Sequence, residues 1–404
     1  MAVSQARLNR YRKDLDAIGD AAYSFVDEFV RATMANNPGM SVAELRNEAI
    51  DAIDSSLYAF GDQASELALD LFEEIVVDGY GLDADTVIED VIDSDMIEGG
   101  VRYSARQLVE GDTEAFARDV ADLTRYYIKR SAMETMERNC HRNDLRYARV
   151  PSGRETCAFC FMLSSRGFVY RSEQTAGSSH AYHQNCDCVI VPGFEGLPAD
   201  KQVEGYDPDG MLERWHDCQA TAGSDSDFRD EWKSMGKKER AKYKGDSDAE
   251  RYRRFVNAKV MREVETRDWR WLYTGELPKQ TKERGAKPLQ KETATADVLS
   301  KAGFPVKFIK EVNKTRVKTA DAYLNGGVWE FKVPEGWNGE HTVRKQFYKA
   351  RDKGTSKLVL SLLENGADLD EAYPLVRKTL DSGDYPYIDE VLIVGRDGSL
   401  IRVK

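Results

Sequence analysis

The sequence predicts a protein of several domains: an all-α N-terminal region, a small α+β module rich in cysteine, and a C-terminal α/β domain. Apolar side chains recur at helical spacing over residues 1–148, whereas residues 149–200 are rich in turns and hold four of the six cysteines. Residues 286–404 alternate helix-like and strand-like runs. A chain of 404 residues, 41% of them hydrophobic, is long enough to bury two or three cores.

Residues 1–148 are predicted to form one helix after another. Ser41 and Glu44 have the spacing of a capping box, which marks the start of one helix. A last long helix is predicted over residues 113–136. No catalytic pattern occurs here, and the many acidic residues are interpreted as solvated helix faces. The apolar positions that indicate helices are Leu8, Tyr11, Leu15 and Ile18, then Ala22, Phe25, Phe29 and Val30, then Leu67, Leu71, Ile75 and Val76.

Residues 149–200 contain ligands of the kind that zinc prefers. Cys157 and Cys160 are separated by two residues, so one tight turn can present both sulfurs to a tetrahedral ion. His183, Cys186 and Cys188 follow, which makes five ligands for four positions. We therefore predict a closed, structural zinc site in a reducing compartment, with the choice of four ligands left open. Free buried cysteines or a transient redox pair are the alternative.

The second half of the chain begins with a polar segment. Residues 201–285 are interpreted as a linker with short helices, and residues 286–404 as a separate α/β domain. In that domain, residues 291–303 are predicted to form a helix and residues 305–309 a strand. A basic helix over residues 342–353 and a buried strand over residues 357–363 follow.

Charge differs strongly along the chain, whose net charge is -12. Residues 1–145 hold 14 Lys and Arg against 30 Asp and Glu, which argues against nucleic-acid binding by this part.

No apolar run of 18 residues exists, and the N-terminus is charged within its first dozen residues, so we expect neither a membrane span nor a signal peptide. Five basic residues cluster in the C-terminal domain: Arg344, Lys345, Lys349, Arg351 and Lys353. A phosphate backbone could lie on this cluster, and an ordinary solvated helix face is the alternative interpretation.

The most informative stretch is a predicted β-hairpin. Asn325-Gly326 is a strong two-residue turn motif, and counting outward from it places Asp321 opposite Glu330. Their Cβ atoms would lie about 5 Å apart on one sheet face, with Lys332 on the same face. Two facing carboxylates beside a lysine predict a divalent-metal site with a cation near an attacking water. An ordinary surface hairpin with charged side chains is the alternative.

This arrangement of Asp, a short gap and Glu-x-Lys resembles the PD-(D/E)XK nuclease superfamily. The flanking helices and strands make residues 286–404 similar to the C-terminal tRNA-nuclease domains of contact-dependent growth inhibition toxins. Ala320 departs from the family pattern, which often has Pro before its Asp. The resemblance implies a central mixed sheet and a nuclease that acts on tRNA, other RNA or DNA.

The same resemblance implies roles for individual residues. Asp321 and Glu330 would hold Mg²⁺ or Mn²⁺, with Glu292 assisting from the preceding helix and Lys332 orienting or stabilising the attacking water. Glu292 also has an ordinary explanation, because Glu is favoured at a helix start. Gln346 is a further residue for contact with substrate or water.

Residues 1–200 resemble the MuF-type minor head proteins of tailed phages. The acidic helical region, the Cys-x-x-Cys pair, a predicted strand at residues 167–170 and the His-x-x-Cys-x-Cys cluster carry this resemblance. Gln184 departs from it, since Pro usually follows the His. The family implies a low-copy protein that binds near the portal of the capsid and is packaged with the genome, and some members carry a fused toxin domain.

Together the two resemblances imply a phage or prophage minor capsid protein with a nuclease effector, located in the virion and the bacterial host cytoplasm. Its expected partners are portal and capsid proteins, a nucleic-acid substrate and an immunity protein. Two alternatives stay open. One is a purely structural head protein with an inactive C-terminal domain, and the other is a nuclease toxin encoded by the host.

Overall fold

A computed structural model of the chain describes residues 2–88, 94–152, 156–171, 188–268, 278–311, 319–351, 353 and 355–403. The chain divides into two compact units, Met1–Met211 and Leu212–Lys404. The first is mostly helical, and the second contains a mixed β-sheet. Among the described helices, none combines the length and apolar character needed to cross a membrane.

Helices dominate the first unit, as the sequence predicts. The capping box at Ser41 and Glu44 is confirmed, because each side chain bonds the backbone N–H of the other. π-Helical turns at Leu57–Gly61 and Glu74–Gly79 extend the second and third helices. The helices are α1 Gln5–Asn36, α2 Val42–Ser56, α3 Asp62–Glu73, α4 Ser94–Ser104, α5 Arg106–Val109 and α6 Thr113–Arg142.

The core of this unit lies where α1 packs on α6. Leu8, Tyr11 and Leu15, three of the apolar positions at helical spacing, are buried. Phe25 and Phe29, which also lie at helical spacing, are 44% and 37% exposed. The buried face continues instead at Ala22, Val26 and Val30, because residues four apart lie above one another on a helix.

The cysteine-rich module of the first unit contains a two-stranded antiparallel sheet. Strand β1, Arg146–Pro151, pairs with β2, Cys188–Gly193, and α7, Ala158–Ser164, lies between them in the chain. The predicted strand at residues 167–170 is reduced to a single bridge between Tyr170 and Tyr147. A short helix, α8 Ala199–Gln202, follows β2.

Residues 201–285, predicted to be a linker with short helices, carry four described helices. These are α9 Pro208–Ala222, α10 Asp225–Ser234, α11 Lys237–Arg240 and α12 Asp248–Glu265. Helix α12 contacts the sheet of the second unit, because buried Glu263 accepts a hydrogen bond of 2.7 Å from Arg402 Nε. The predicted domain boundaries at residues 148, 200 and 285 stay predictions.

A seven-stranded mixed sheet forms the centre of the second unit, with its strands in chain order. The strands are β3 Thr281–Lys282, β4 Val306–Phe308, β5 Ala322–Leu324, β6 Gly327–Lys332, β7 Lys357–Ser361, β8 Glu390–Val394 and β9 Leu400–Arg402. Strands β6, β7 and β8 are parallel, whereas β5 and β9 are antiparallel to their neighbours. The predicted mixed sheet is therefore confirmed.

Helices cover both faces of this sheet. Helix α13, Gln290–Lys301, packs on the face that contains Trp329 and Phe331. Helices α14, Gly339–Arg351, and α15, Leu369–Asp381, pack on the opposite face, against Leu358 and Leu360. Since side chains alternate along a strand, Glu330 and Lys332 lie on the α14 side.

Candidate functional site

The hairpin of β5 and β6 forms in the predicted register. Ala322 pairs with Trp329 and Leu324 with Gly327, which leaves a two-residue loop. Asn325 and Gly326 both have positive φ angles, 46° and 76°, as a type I′ turn requires. The loop therefore fixes which residues of β6 lie beside the end of β5.

Asp321 precedes β5 and is bound to β6 through both its backbone and its side chain. Its N–H donates to the Trp329 carbonyl at 3.2 Å, and its Oδ2 accepts from the Phe331 N–H at 2.8 Å. In a regular ladder the N–H of a residue opposite Glu330 would point away from β6. The regular pairing thus ends at Ala322, and the Asp321 carboxylate takes the next backbone donor of β6.

Glu330 is the most deeply buried carboxylate of the site, with 1% of its side chain exposed. Its Oε1 accepts a short hydrogen bond from Lys332 and lies 3.5 Å from Lys353 Nζ. Its Oε2 is buried and accepts no hydrogen bond from the described residues. Burial raises the pKa of Glu330 to about 7, and the nearby Asp321 charge adds to this increase.

Lys353 joins the two carboxylates. Its Nζ lies 3.8 Å from Asp321 Oδ1 and donates to the Thr319 carbonyl at 3.2 Å. From the sequence, Lys353 was assigned to a basic cluster that could bind a phosphate backbone, and its contact with the two carboxylates was not predicted. The parallel crossover from β6 through α14 to β7 explains it, because Glu330 pairs with Leu358, five residues beyond Lys353.

The two remaining predicted site residues lie on helices. Glu292 stands in the first turn of α13, where its Oε2 accepts a hydrogen bond of 2.8 Å from the Leu289 N–H. Burial raises the pKa of Glu292, and the charge of Asp321 raises it further. Gln346 is buried on α14, and no hydrogen bond joins it to the described carboxylates. The structure thus places Glu292 within electrostatic range of the pair, while its role and that of Gln346 stay predictions.

The chemistry of this donor set fits a hard divalent cation. Mg²⁺ typically binds one or two protein carboxylates and completes its shell with water and substrate phosphates. Asp321 and Glu330 supply two such carboxylates, and Glu330 Oε2 is a buried oxygen that needs a partner. Within the described parts of the chain, no group of three or more His, Cys, Asp or Glu side chains converges on a metal position.

A second cluster brings cysteines together in the first unit. Cys157 precedes α7, and its Sγ accepts from the Cys160 N–H at 3.3 Å. Cys160 Sγ lies 3.4 Å from Cys188 Sγ at the start of β2. Two sulfurs bound to one zinc ion at 2.3 Å would be roughly 3.8 Å apart. His183 and Cys186 lie outside the described residues, so the zinc site stays a prediction.

Comparison with known proteins places the N-terminal half in a family. The model of the VG15 protein family matches residues 2–218, which is more than half of the chain. The chain belongs to the VG15 protein family.

Two curated relatives of this VG15 protein come from phages. The Gene 15 protein of Mycobacterium phage D29 is 34% identical over 77 residues, 12% of this chain and 28% of the relative. The Gene 15 protein of Mycobacterium phage L5 is 34% identical over 85 residues, 12% of this chain and 29% of the relative. The chain therefore spans less than a third of the length of these relatives.

One solved structure resembles part of the chain. It is a CdiA-CT/CdiI toxin and immunity complex from Burkholderia pseudomallei, at 18% sequence identity. The match covers 31% of this chain and 99% of that chain, with a TM-score of 0.26. At this TM-score the match does not establish a shared fold.

Proposed function

We propose that this VG15 protein is a phage minor capsid protein of the MuF type whose second unit is a metal-dependent nuclease. The observation that carries the nuclease proposal is the Asp321–Glu330 pair on the hairpin. Two acids share one lysine, and a buried oxygen of Glu330 accepts no hydrogen bond from the described residues. Such a pair is destabilising without a cation, because like charges repel across strands.

In this proposal Asp321 and Glu330 would hold Mg²⁺ or Mn²⁺, and Glu292 would assist from α13. Such an ion, when bound, supplies Lewis-acid stabilisation of phosphate charge and lowers the pKa of a bound water. Phe331 contributes by fixing the Asp321 carboxylate through its N–H. This backbone contact positions one ligand before any ion or substrate arrives.

The two lysines are expected to have different roles. Lys332 contacts Glu330 directly and extends from the same strand, so it stays beside the carboxylates and orients the water or stabilises charge on phosphate. Lys353 makes longer contacts of 3.5 and 3.8 Å and already donates to the Thr319 carbonyl. A divalent ion repels both ammonium groups, and Lys353 is the one that can withdraw to its carbonyl partner.

The proposed role of the first unit is attachment to the phage head. Membership of the VG15 family over residues 2–218 and the phage origin of the relatives support a phage function. Binding to portal or capsid proteins is proposed from the MuF resemblance. A structural zinc ion held by four of Cys157, Cys160, His183, Cys186 and Cys188 would stabilise the cysteine module. An active nuclease would also need an immunity protein in the host cytoplasm.

Cleavage by the full chain tests the nuclease proposal. Purified protein would be incubated with total RNA and with plasmid DNA, in Mg²⁺, Mn²⁺ or a chelator. We expect metal-dependent cleavage of RNA, with tRNA as the main substrate. Cleavage of DNA alone would keep the nuclease and change its substrate, whereas intact RNA and DNA in both metals would leave a purely structural head protein.

A lysine variant sharpens this experiment. Lys332→Met should reduce the cleavage rate by about 100-fold or more, because an electrostatic group at the reacting phosphate is lost. Lys301→Met is the matched control, since Lys301 is exposed at the end of α13. Equal rates for the two variants would remove Lys332 from the proposed mechanism.

The location of the chain tests the head proposal separately. Phage particles assembled with the full chain should contain it after purification. Particles assembled with a chain that lacks residues 1–200 should not contain the remaining part. Incorporation of that shortened chain at the parental level would contradict the proposed role of the first unit.

A further inference from the structure

We propose that the exposed side of α14 binds a single-stranded segment of the nucleic-acid substrate, with Lys345 and Lys349 on its phosphates and Tyr348 stacked on an unpaired base. The inference rests on the proposed nuclease function and names the form of substrate that its site takes. All three side chains are exposed to solvent. The position of this surface, its charge and its aromatic ring are the observations behind the proposal.

The surface leads to the two carboxylates of the candidate site. Lys345, Lys349 and Lys353 follow one another at intervals of four residues, so they form one row that rises about 6 Å along the helix with each lysine. Lys353 continues the last turn, because its N–H donates to the Ala350 carbonyl at 3.0 Å. Its Nζ lies 3.5 Å from Glu330 Oε1. A strand that lies on the first two lysines therefore reaches the carboxylates at the third.

The positive charge on this side of α14 is not balanced by nearby acids. Among the described residues, Lys345, Lys349 and Arg351 form no ion pair with a carboxylate. Arg344, on the same helix, differs because it pairs with Glu340 at 2.9 Å. Cations that are free to contact phosphate release counterions from the nucleic acid, which favours binding.

Tyr348 is the feature that an ordinary solvated helix face does not explain. It is 56% exposed. The Arg351 guanidinium carbon lies 4.7 Å from the centre of its ring, so a cation–π contact orients the ring without burying it. Bases stack on exposed aromatic rings of this kind, but only where they are splayed out of a double helix. The surface therefore fits loops and single-stranded ends better than an uninterrupted duplex.

The test measures binding by the full chain in chelator, which prevents metal-dependent cleavage. The fluorescein-labelled probes are a single-stranded RNA of about 12 nucleotides, a DNA strand of the same sequence, and the RNA duplex. Fluorescence anisotropy gives the dissociation constant of each probe at several salt concentrations. We expect the single strands to bind about 10-fold more tightly than the duplex, and the tighter of the two names the source of the segment.

A tyrosine variant tests the stacked base. Tyr348→Ala should weaken binding of the single-stranded RNA by about 10-fold and leave duplex binding unchanged, because only an unpaired base reaches the ring. Tyr348→Phe keeps the ring and should bind like the parent. Tyr58→Ala is the matched control, since Tyr58 is 79% exposed in the acidic first unit. Circular dichroism checks that each variant is folded.

Lysine variants test the phosphate contacts. Lys345→Gln and Lys349→Gln should each reduce the slope of log affinity against log salt by about 0.7 for the single-stranded RNA, because each loses one phosphate contact. Lys301→Gln is the matched control, since Lys301 is exposed at the end of α13, on the other face of the sheet. Its salt slope should equal that of the parent.

The outcomes separate this inference from the nuclease proposal. A parent that cleaves RNA in Mg²⁺, with parental affinity and salt slope in Tyr348→Ala and Lys349→Gln, keeps the nuclease and overturns the proposed surface. A parent that binds single strands through these residues but cleaves nothing keeps the surface and overturns the nuclease. Equal affinity for single strand and duplex overturns the assignment to unpaired nucleotides.

Discussion

The cysteine cluster of the first unit and the carboxylate site of the second unit combine the same elements in different ways. Each places side chains of a kind that can bind metal beside a cationic side chain. In the cysteine cluster the cation is Arg149, which is fully buried and whose Nε donates to Cys188 Sγ at 3.2 Å. In the carboxylate site the cations are Lys332 and Lys353, whose side chains are 13% and 20% exposed.

The charge next to the cysteine cluster is therefore fixed, whereas the charges next to the carboxylate site can change position. A fixed, dry counter-charge suits a metal that stays bound and holds strands together. Partly exposed lysines beside a carboxylate suit a site that must admit an ion, water and a phosphate in turn. The comparison therefore predicts that removing a ligand in the first unit affects folding, whereas removing one in the second affects chemistry.

The largest effect is expected from Asp321→Asn. Loss of this ligand should reduce nucleic-acid cleavage by at least about 1000-fold, because ion binding and charge stabilisation fail together. Initial rates on labelled RNA measure this. Asp370→Asn, at an exposed position of α15, is the control and should match the parent. Parental cleavage by Asp321→Asn would falsify the assigned site and the nuclease proposal with it.

Cys160→Ser tests the cysteine cluster, which is the other half of this comparison. Because structural zinc contributes folding free energy, this variant should lose zinc and unfold the cysteine module, at a cost of several kcal/mol. Limited proteolysis should then cut within residues 149–200 and leave residues 286–404 intact. Cys140→Ser, a buried cysteine of α6, should keep its zinc. Loss of zinc from both variants to the same extent would contradict the assigned ligand.

We expect the protonation of Glu330 to make the free energy of unfolding depend on pH. Its pKa in the folded, metal-free protein is about 7, above the ordinary value of 4.5. Between pH 4.5 and 7 the unfolded chain loses this proton while the folded chain keeps it. The free energy of unfolding should therefore fall across this window, by about 3 kcal/mol, and level off above pH 7.

The variant Glu330→Gln checks this assignment. Denaturant unfolding in chelator at pH 4.5 and pH 7.5 should show a smaller decrease for Glu330→Gln than for the parent. Glu364→Gln, at an exposed position, should behave like the parent. Mg²⁺ should restore stability to the parent above pH 7 and not to Glu330→Gln. Identical pH profiles for all three proteins would contradict the raised pKa.

The smallest effect is expected at the turn. Gly326 has a φ of 76° and no atom within 4 Å of an added Cβ, so Gly326→Ala should cost only about 1 kcal/mol through backbone strain. Urea midpoints measure the change. Gly336→Ala is the control, because that glycine also has open space and no positive φ. A much larger cost would contradict a strain that is confined to this one backbone position.

Features that depend on neighbouring residues could be predicted from the sequence, whereas features that depend on long-range contacts could not. The Asn325-Gly326 turn determines the hairpin register within a few residues, so the proximity of Asp321 and Glu330 could be predicted from the sequence. Lys353 could not be assigned to them, because its position depends on the crossover through α14. Arg149 was missed for the same reason, since only the pairing of β1 with β2 brings it to Cys188.

The sequence predicted helices in the first unit but not which of their faces is buried. Phe25 and Phe29 are large, apolar and at helical spacing, and both are exposed. A 32-residue helix has room for several such stripes, and packing against α6 selects the one that contains Val26. Hydrophobicity alone could not distinguish these faces.

Strand β6 is the fourth of seven strands and is bonded on both sides, antiparallel to β5 and parallel to β7. Amides in such a strand exchange with solvent only when a large part of the sheet opens. The backbone that carries Glu330 and Lys332 should therefore be among the slowest-exchanging parts of the second unit. On heating, the proposed nuclease activity should persist until the sheet itself melts, so loss of cleavage and cooperative unfolding should follow the same curve.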